Sequence, residues 1–212
     1  MRSALRTSTQ FVSLNRDGIE KIVAALLLGG LIARMVPNIL QTGAILPLLL
    51  VASEAMVVLF LLIRRPTTAI SDRGWDWTVG FLGTLVALLA IPPQGEPIVP
   101  TVWCGFVMVC GFALQISAKL TLRRSFGVIA ANRGVKAGGP YRYVRHPMYA
   151  GYILTHIGFL LGGPSLWNAA IYGIGLGLAV ARIAAEERVL MLDGAYRALA
   201  ERVRYRLIPF VY

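Results

Sequence analysis

The chain has 212 residues, 57% hydrophobic and only 15% charged, with 21 Lys and Arg against 10 Asp and Glu for a formal net charge of +11. A soluble domain carries about 25% charged residues, and a mean hydropathy of +0.67 leaves more apolar surface than one soluble core of this size can bury. This excludes a disordered chain, a collagen-like fibre and a disulfide scaffold, and a basic excess on so apolar a chain points to loops on one side of a bilayer rather than to nucleic acid.

A membrane-spanning helix needs about 20 apolar residues. Taken in chain order, the first apolar run covers 19–36 and lacks a small-x-small cleavage pattern, so it is expected to stay as a span. The second covers 39–63 and stops at Arg64-Arg65-Pro66, the third covers 75–91 and stops at Pro92-Pro93, and the fourth covers 98–118 and stops at Lys119. Cys104 and Cys110 fall in the fourth, on different faces of a helix, and read as buried free thiols. A last apolar stretch, 148–181, is broken at Gly162-Gly163-Pro164 into two short arms, which predicts a helical hairpin.

The fold class expected is therefore all-α and polytopic: four spanning helices, a C-terminal hairpin and a cytosolic cofactor-binding tail. The chain divides into membrane helices (1–118) and a region of loop, hairpin and tail (119–212). All Lys and Arg except Arg34 fall in 1–21, in 64–74, in 119–147 or after the hairpin, while 37–43 and 92–97 have none. Arg34 is expected to snorkel from a helix end. Every second connection is basic, so both termini and these loops are predicted to be cytoplasmic, in the inner or plasma membrane if the chain is bacterial.

Polar residues converge in two places. The first is Gly138-Gly139-Pro140-Tyr141-Arg142-Tyr143-Val144-Arg145-His146-Pro147-Met148-Tyr149. Its glycines and prolines favour turning backbone, and Pro147 suits the first turn of a helix whose N-terminus could hold a carboxylate. Its rings could stack on a purine or face a cation, or simply form an interfacial aromatic belt. The second is Ala181-Arg182-Ile183-Ala184-Ala185-Glu186-Glu187-Arg188, where Arg182 and Glu186 share a helix face as the chain leaves an apolar span. A solvated helix end with ordinary ion pairs is the plainer alternative. Folding the hairpin back brings His146 and Glu186 together and makes one candidate site of two local signals.

These residues resemble a known family. Gly-Pro-Tyr-Arg-Tyr-Val-Arg-His-Pro-Met-Tyr-Ala-Gly at 139–151, Glu-Glu-x-x-Leu at 186–190, Tyr196 and Arg206-Leu207-Ile208-Pro209 are similar to the isoprenylcysteine carboxyl methyltransferases, a group that extends to phospholipid N-methyltransferases. The resemblance covers 119–212 and implies a membrane methyltransferase that uses S-adenosylmethionine without a Rossmann domain. It implies that Tyr141, His146, Pro147, Met148, Tyr149 and the approach segment Arg133-Gly134-Val135-Lys136 line the cofactor, that Glu186 binds it, and that Arg182 faces the acceptor. Family members often read His-x-Leu-Val in the approach and carry a second Tyr in the tail, where this chain has Leu199.

Methyl transfer from a sulfonium needs alignment and exclusion of water rather than an enzyme nucleophile. Arg182 could orient a carboxylate acceptor, whereas an amine or phenol needs a base, for which His146 and Glu186 are the candidates. The acceptor is expected to be lipophilic and to enter sideways between helices. Three other features read more plainly: Glu54 as an interhelical hydrogen bond, His156 as a packed histidine, and Gly173-x-Gly175-x-Gly177 as close helix packing rather than a nucleotide loop. With two histidines and no cysteine cluster, a metal site is poorly supported. The competing readings are an NADPH-dependent reductase of sterol-reductase type and a non-enzymatic transporter or scaffold.

Overall fold

The computed structural model describes residues 2–63, 71, 73–125, 130, 132, 134–209 and 211, and side chains from residue 21 onward except that of Arg124. All regular structure among them is helical: α1 (Arg2–Thr42), α2 (Ile45–Ile63), α3 (Gly74–Leu85), α4 (Thr101–Leu122), α5 (Pro147–Gly162), α6 (Leu166–Leu190) and α7 (Gly194–Arg202), with single 3-10 turns at Val86–Leu89, Arg123–Ser125 and Gly139–Arg142. Four stretches are long and apolar enough to cross a membrane, Lys21–Thr42, Ile45–Ile63, Thr101–Leu122 and Leu166–Leu190. The protein is an all-α, polytopic, integral membrane protein.

The element boundaries depart from the sequence expectation in three places. Helix α1 runs through Pro37 and turns only at Gly43, whose φ of 63° suits glycine; a proline in a membrane helix is tolerated where neighbours and local adjustment satisfy the freed carbonyl. The 75–91 segment falls short of spanning length, because α3 tightens into the 3-10 turn, which ends at Leu89. Its last carbonyls are not left bare: Arg34 donates from Nε to the Ala90 oxygen at 3.2 Å and from Nη2 to the Leu88 oxygen. Arg34 thus caps a neighbouring helix end instead of snorkelling. Lastly, α6 is 25 residues long, so the hairpin's second arm is itself of spanning length and carries the Glu186-Glu187 pair inside the helix.

Glycine sets the tightest crossing. A Cβ at Gly111 would lie 2.7 Å from the Gly151 carbonyl oxygen, and one at Gly158 would lie 2.7 Å from the Cys104 carbonyl oxygen, so α4 and α5 touch backbone to backbone. Polar side chains bridge the same region. Ser53 donates to Gln115 Oε1 at 3.1 Å, Gln115 Nε2 donates to Thr155 at 3.0 Å, and Lys119 Nζ donates to Gln115 Oε1 at 3.2 Å. Lys119, expected among the loop charges, is fully buried, with its ammonium 5.0 Å from the Tyr152 ring centre. In hydrocarbon such bonds replace those that water would make.

The two ends of the α5–α6 hairpin are pinned differently. At the Gly163-Pro164 turn, Asn168 binds the Ile91 backbone with both amide atoms, each at 3.0 Å, and the Ile98 N–H donates to the Leu161 oxygen at 2.9 Å. At the other end lie the residues of the predicted site.

Candidate functional site

The fold-back occurs. Pro147 occupies the first position of α5 with His146 as its N-cap, and the long helix α6 returns Glu186 and Glu187 to the same level. His146 Nδ1 lies 3.7 Å from Glu186 Oε2, and His146 Nε2 lies 3.3 Å from Glu187 Oε1. With each ring nitrogen facing a carboxylate and the side chain only 5% exposed, His146 links the two glutamates.

The adjacent glutamates have different surroundings. Glu187 is enclosed: Arg145 Nε is 3.2 Å from Oε1, Arg206 Nε donates to Oε2 at 2.7 Å, and the Tyr196 hydroxyl donates to Oε1 at 3.4 Å. The tail is drawn in by backbone as well, since the Arg145 and His146 N–H groups donate to the Tyr205 and Arg206 oxygens at 2.9 and 2.8 Å. Glu186 faces the other way. It accepts from the Tyr149 hydroxyl at 2.6 Å and from Arg182 Nε at 3.1 Å. Arg182 in turn donates from Nη1 to Thr84 at 2.9 Å and stands 5.4 Å from the Tyr149 ring centre.

Arg182, Tyr149 and Thr84 form one end of a cavity of about 310 Å³ between α2, α3, α5 and α6. Its walls are mainly apolar, and exposed Ile157, Gly173 and Leu176 mark its rim on the outer surface of the helices. Gly173 and Gly177 do not pack another helix as expected; a Cβ at either meets nothing within 4 Å, because both lie on the exposed face of α6, while Gly175 between them is the one against Val86. The cavity also reaches Glu54, His156 and Tyr172.

Residues 99–197 match the family model of phospholipid methyltransferases. This stretch is a domain of the isoprenylcysteine and phospholipid methyltransferase family. No curated protein matches the chain. The methyltransferase domain begins with α4 and contains every residue expected at the site, but Glu54 and Thr84 reach the cavity from helices outside it.

The remaining candidates of the methyltransferase domain are spread more widely. Tyr141, Pro147 and Met148 are buried beside the His146 turn. Burial pushes the Tyr141 phenol well above its ordinary value, and the charge of Glu186 adds to this. Tyr196 is raised by burial and then by Glu187, so both phenols are neutral donors, not bases, at neutral pH. The approach segment lies further out: Val135 packs on Tyr196, Leu199 and Val203 of the tail, Lys136 is exposed, and Gly134 turns at φ 94° beside Asn132, which donates to Asp193 at 2.8 Å. Arg133 lies outside the described residues. Sequence reasoning missed Thr84, Tyr152, Tyr172 and the clasp of Arg145, Arg206 and Glu187, all of which depend on which helices become neighbours.

Proposed function

We propose that this membrane methyltransferase transfers a methyl group from S-adenosylmethionine to a lipophilic acceptor drawn from the bilayer. The observation that carries the reading is the double role of Arg182 and Tyr149, which line the lipid-side cavity and also bind Glu186 of the loop-side cluster. Donor and acceptor would meet at this seam. The positive-inside distribution of Lys and Arg supports a cytoplasmic location for the cluster.

The residues suit the cofactor's chemistry. Glu186 and the Tyr149 and His146 rings fit a sulfonium and an ammonium, and the N-terminus of α5, which has no side-chain cap, fits a carboxylate. When bound, S-adenosylmethionine supplies an electrophilic methyl group. The chain's part is to orient and to exclude water: Thr84 and Glu186 fix the Arg182 guanidinium, and the apolar wall keeps the acceptor dry. A carboxylate acceptor would be held by Arg182; an amine would need a proton taken up, for which Glu186 is the nearest carboxylate at the seam.

The test is cofactor binding by the purified full chain in detergent. S-adenosylmethionine should bind, NADPH should not, and Glu186→Ala should weaken S-adenosylmethionine binding at least tenfold while Glu54→Ala leaves it intact. Affinity for NADPH alone, or equal S-adenosylmethionine affinity in all three proteins, refutes the assignment.

A further inference from the structure

The cavity has a second polar end. Glu54 of α2 and His156 of α5 approach to 3.5 Å between Oε1 and Nε2, and the His156 ring stacks on Tyr172 of α6 at 4.1 Å with an interplanar angle of 6°. The Glu54 side chain is 4% exposed, yet Glu54 Oε1, His156 Nε2 and the Tyr172 hydroxyl are buried without a hydrogen-bond partner among the described residues. Other buried amides in the helices are paired: Gln115 uses both amide atoms, and so does Asn168. The one further unpartnered atom among the described residues, Arg145 Nε, lies against Glu187 in the loop-side cluster. Buried polar groups in hydrocarbon are ordinarily satisfied. Three that are not, all bordering one cavity, point to a ligand that satisfies them.

We infer that Glu54, His156 and Tyr172 recognise the far end of the acceptor, and that this end carries a hydroxyl or an amine. A carboxylate oxygen accepts, while a phenol both donates and accepts. A ligand hydroxyl can therefore donate to Glu54 and accept from Tyr172, and an amine can donate to Glu54. A far-end carboxylate would set oxygen against oxygen at Glu54, with no N–H or O–H to offer it. The spacing follows from α5: Tyr149 and His156 are two turns apart on one face, about 10 Å along the axis. The acceptor is thus a slender amphiphile with a polar group at each end of an apolar body about 10 Å long. A cavity of about 310 Å³ holds one such body and not the paired chains of a phospholipid.

The inference rests on the cavity being the acceptor chamber, but its test needs no methyl transfer. Equilibrium binding to the full chain in detergent, without cofactor, would compare decanoic acid with ω-hydroxydecanoic acid, and decylamine with ω-hydroxydecylamine. In at least one pair the hydroxylated probe should bind about tenfold more tightly, corresponding to about 1.4 kcal/mol. Tyr172→Phe, which keeps the ring stack, and Glu54→Gln should each reduce that preference several-fold while leaving the affinity of the unhydroxylated probe unchanged. Equal binding within both pairs, binding of none of the probes, or a preference that survives in the double variant overturns the inference. NADPH binding in place of S-adenosylmethionine would refute the methyltransferase assignment and leave the hydroxyl preference as a separate result.

Discussion

Glu186 and Glu187 are neighbours in sequence, and their replacement by alanine should fail in different ways. Glu187→Ala removes the carboxylate that faces Arg145, His146, Tyr196 and Arg206. Arg206 is 39% exposed at its side chain, and water can replace its bond at little cost. Arg145 is only 8% exposed and loses the one carboxylate drawn to it among the described residues. Stripping a buried cation of its partner costs ~3–5 kcal/mol, and the lower end applies because the Arg145 Nη2 still donates to the Arg204 oxygen. For a chain of this size ~3 kcal/mol lowers the melting midpoint by ~6–12 °C. The assay is thermal unfolding of the full chain in one detergent, read by tail release as well as by global melting. Among the described residues Glu186 binds Tyr149 and Arg182 at hydrogen-bond distance. Its loss also takes the carboxylate from buried Arg182, which keeps its bond to Thr84. Glu186→Ala should therefore be destabilised too, but it should leave the tail in place and lose cofactor affinity, which Glu187→Ala should keep. A Glu187→Ala protein that melts with wild type refutes the division of labour.

Two glycine substitutions should also diverge: Gly151→Ala, whose Cβ would lie 2.7 Å from the Gly111 carbonyl oxygen, should destabilise by about 1–3 kcal/mol, whereas Gly173→Leu enters open space, should leave melting and cofactor affinity unchanged, and should lower methyl transfer to a lipophilic acceptor supplied in the bilayer. Equal melting of the two variants would contradict the helix spacing. For sidedness, in a Cys110→Ser background, Glu96→Cys should react with an impermeant thiol reagent from outside intact cells and Lys136→Cys only after permeabilisation; both native positions are exposed in the structure. The reverse pattern refutes the orientation. The hydrogen bond from Asn132 holds the Asp193 carboxyl below its ordinary 3.8, with a backbone bond from Ala195 at the start of α7 adding to this. A lowered folded value means stabilisation that is full above 3.8 and fades as pH falls through the folded value. The melting difference between wild type and Asp193→Ala should therefore be constant at neutral pH and vanish in strong acid, and a difference that grows on acidification is the contrary result.

Runs of apolar residues, a Gly-Gly-Pro break and the alternation of basic loops are local signals, and they carried the all-α membrane fold and the meeting of His146 with Glu186. What they could not carry is which face of a helix meets which neighbour. Residues 186 and 187 differ by about 100° around the α6 axis, and only the position of the returning tail decides that Glu187 is enclosed while Glu186 faces the seam. Lys119 reads as a loop charge because it ends an apolar run; its burial depends on Gln115 and Tyr152 lying beside it. Glu54 and His156 each read as a packing residue when taken singly, since nothing in either helix alone shows that both border the same cavity as Tyr172. Arg34 was legible as a charge inside a span, but not as the cap of a helix that stops short.

The glycines explain how so small a bundle can be both rigid and open. On α4 and α5 they bring backbones into contact, and the polar bridge through Gln115 and Thr155 runs alongside. On α6 the same residue type, at Gly173 and Gly177, faces empty space. The hairpin is held at its turn by Asn168 on the Ile91 backbone and at its other end by Tyr149 on Glu186. Two helices fixed at both ends and bridged between them by the His156–Tyr172 stack border a space whose rim lies in the lipid-facing wall. An amphiphile entering there meets apolar wall first and Arg182 at one end, beside the cluster that would hold the methyl donor. Widening α6 at Gly173 closes that route without touching Glu186, and so separates loss of acceptor access from loss of cofactor binding.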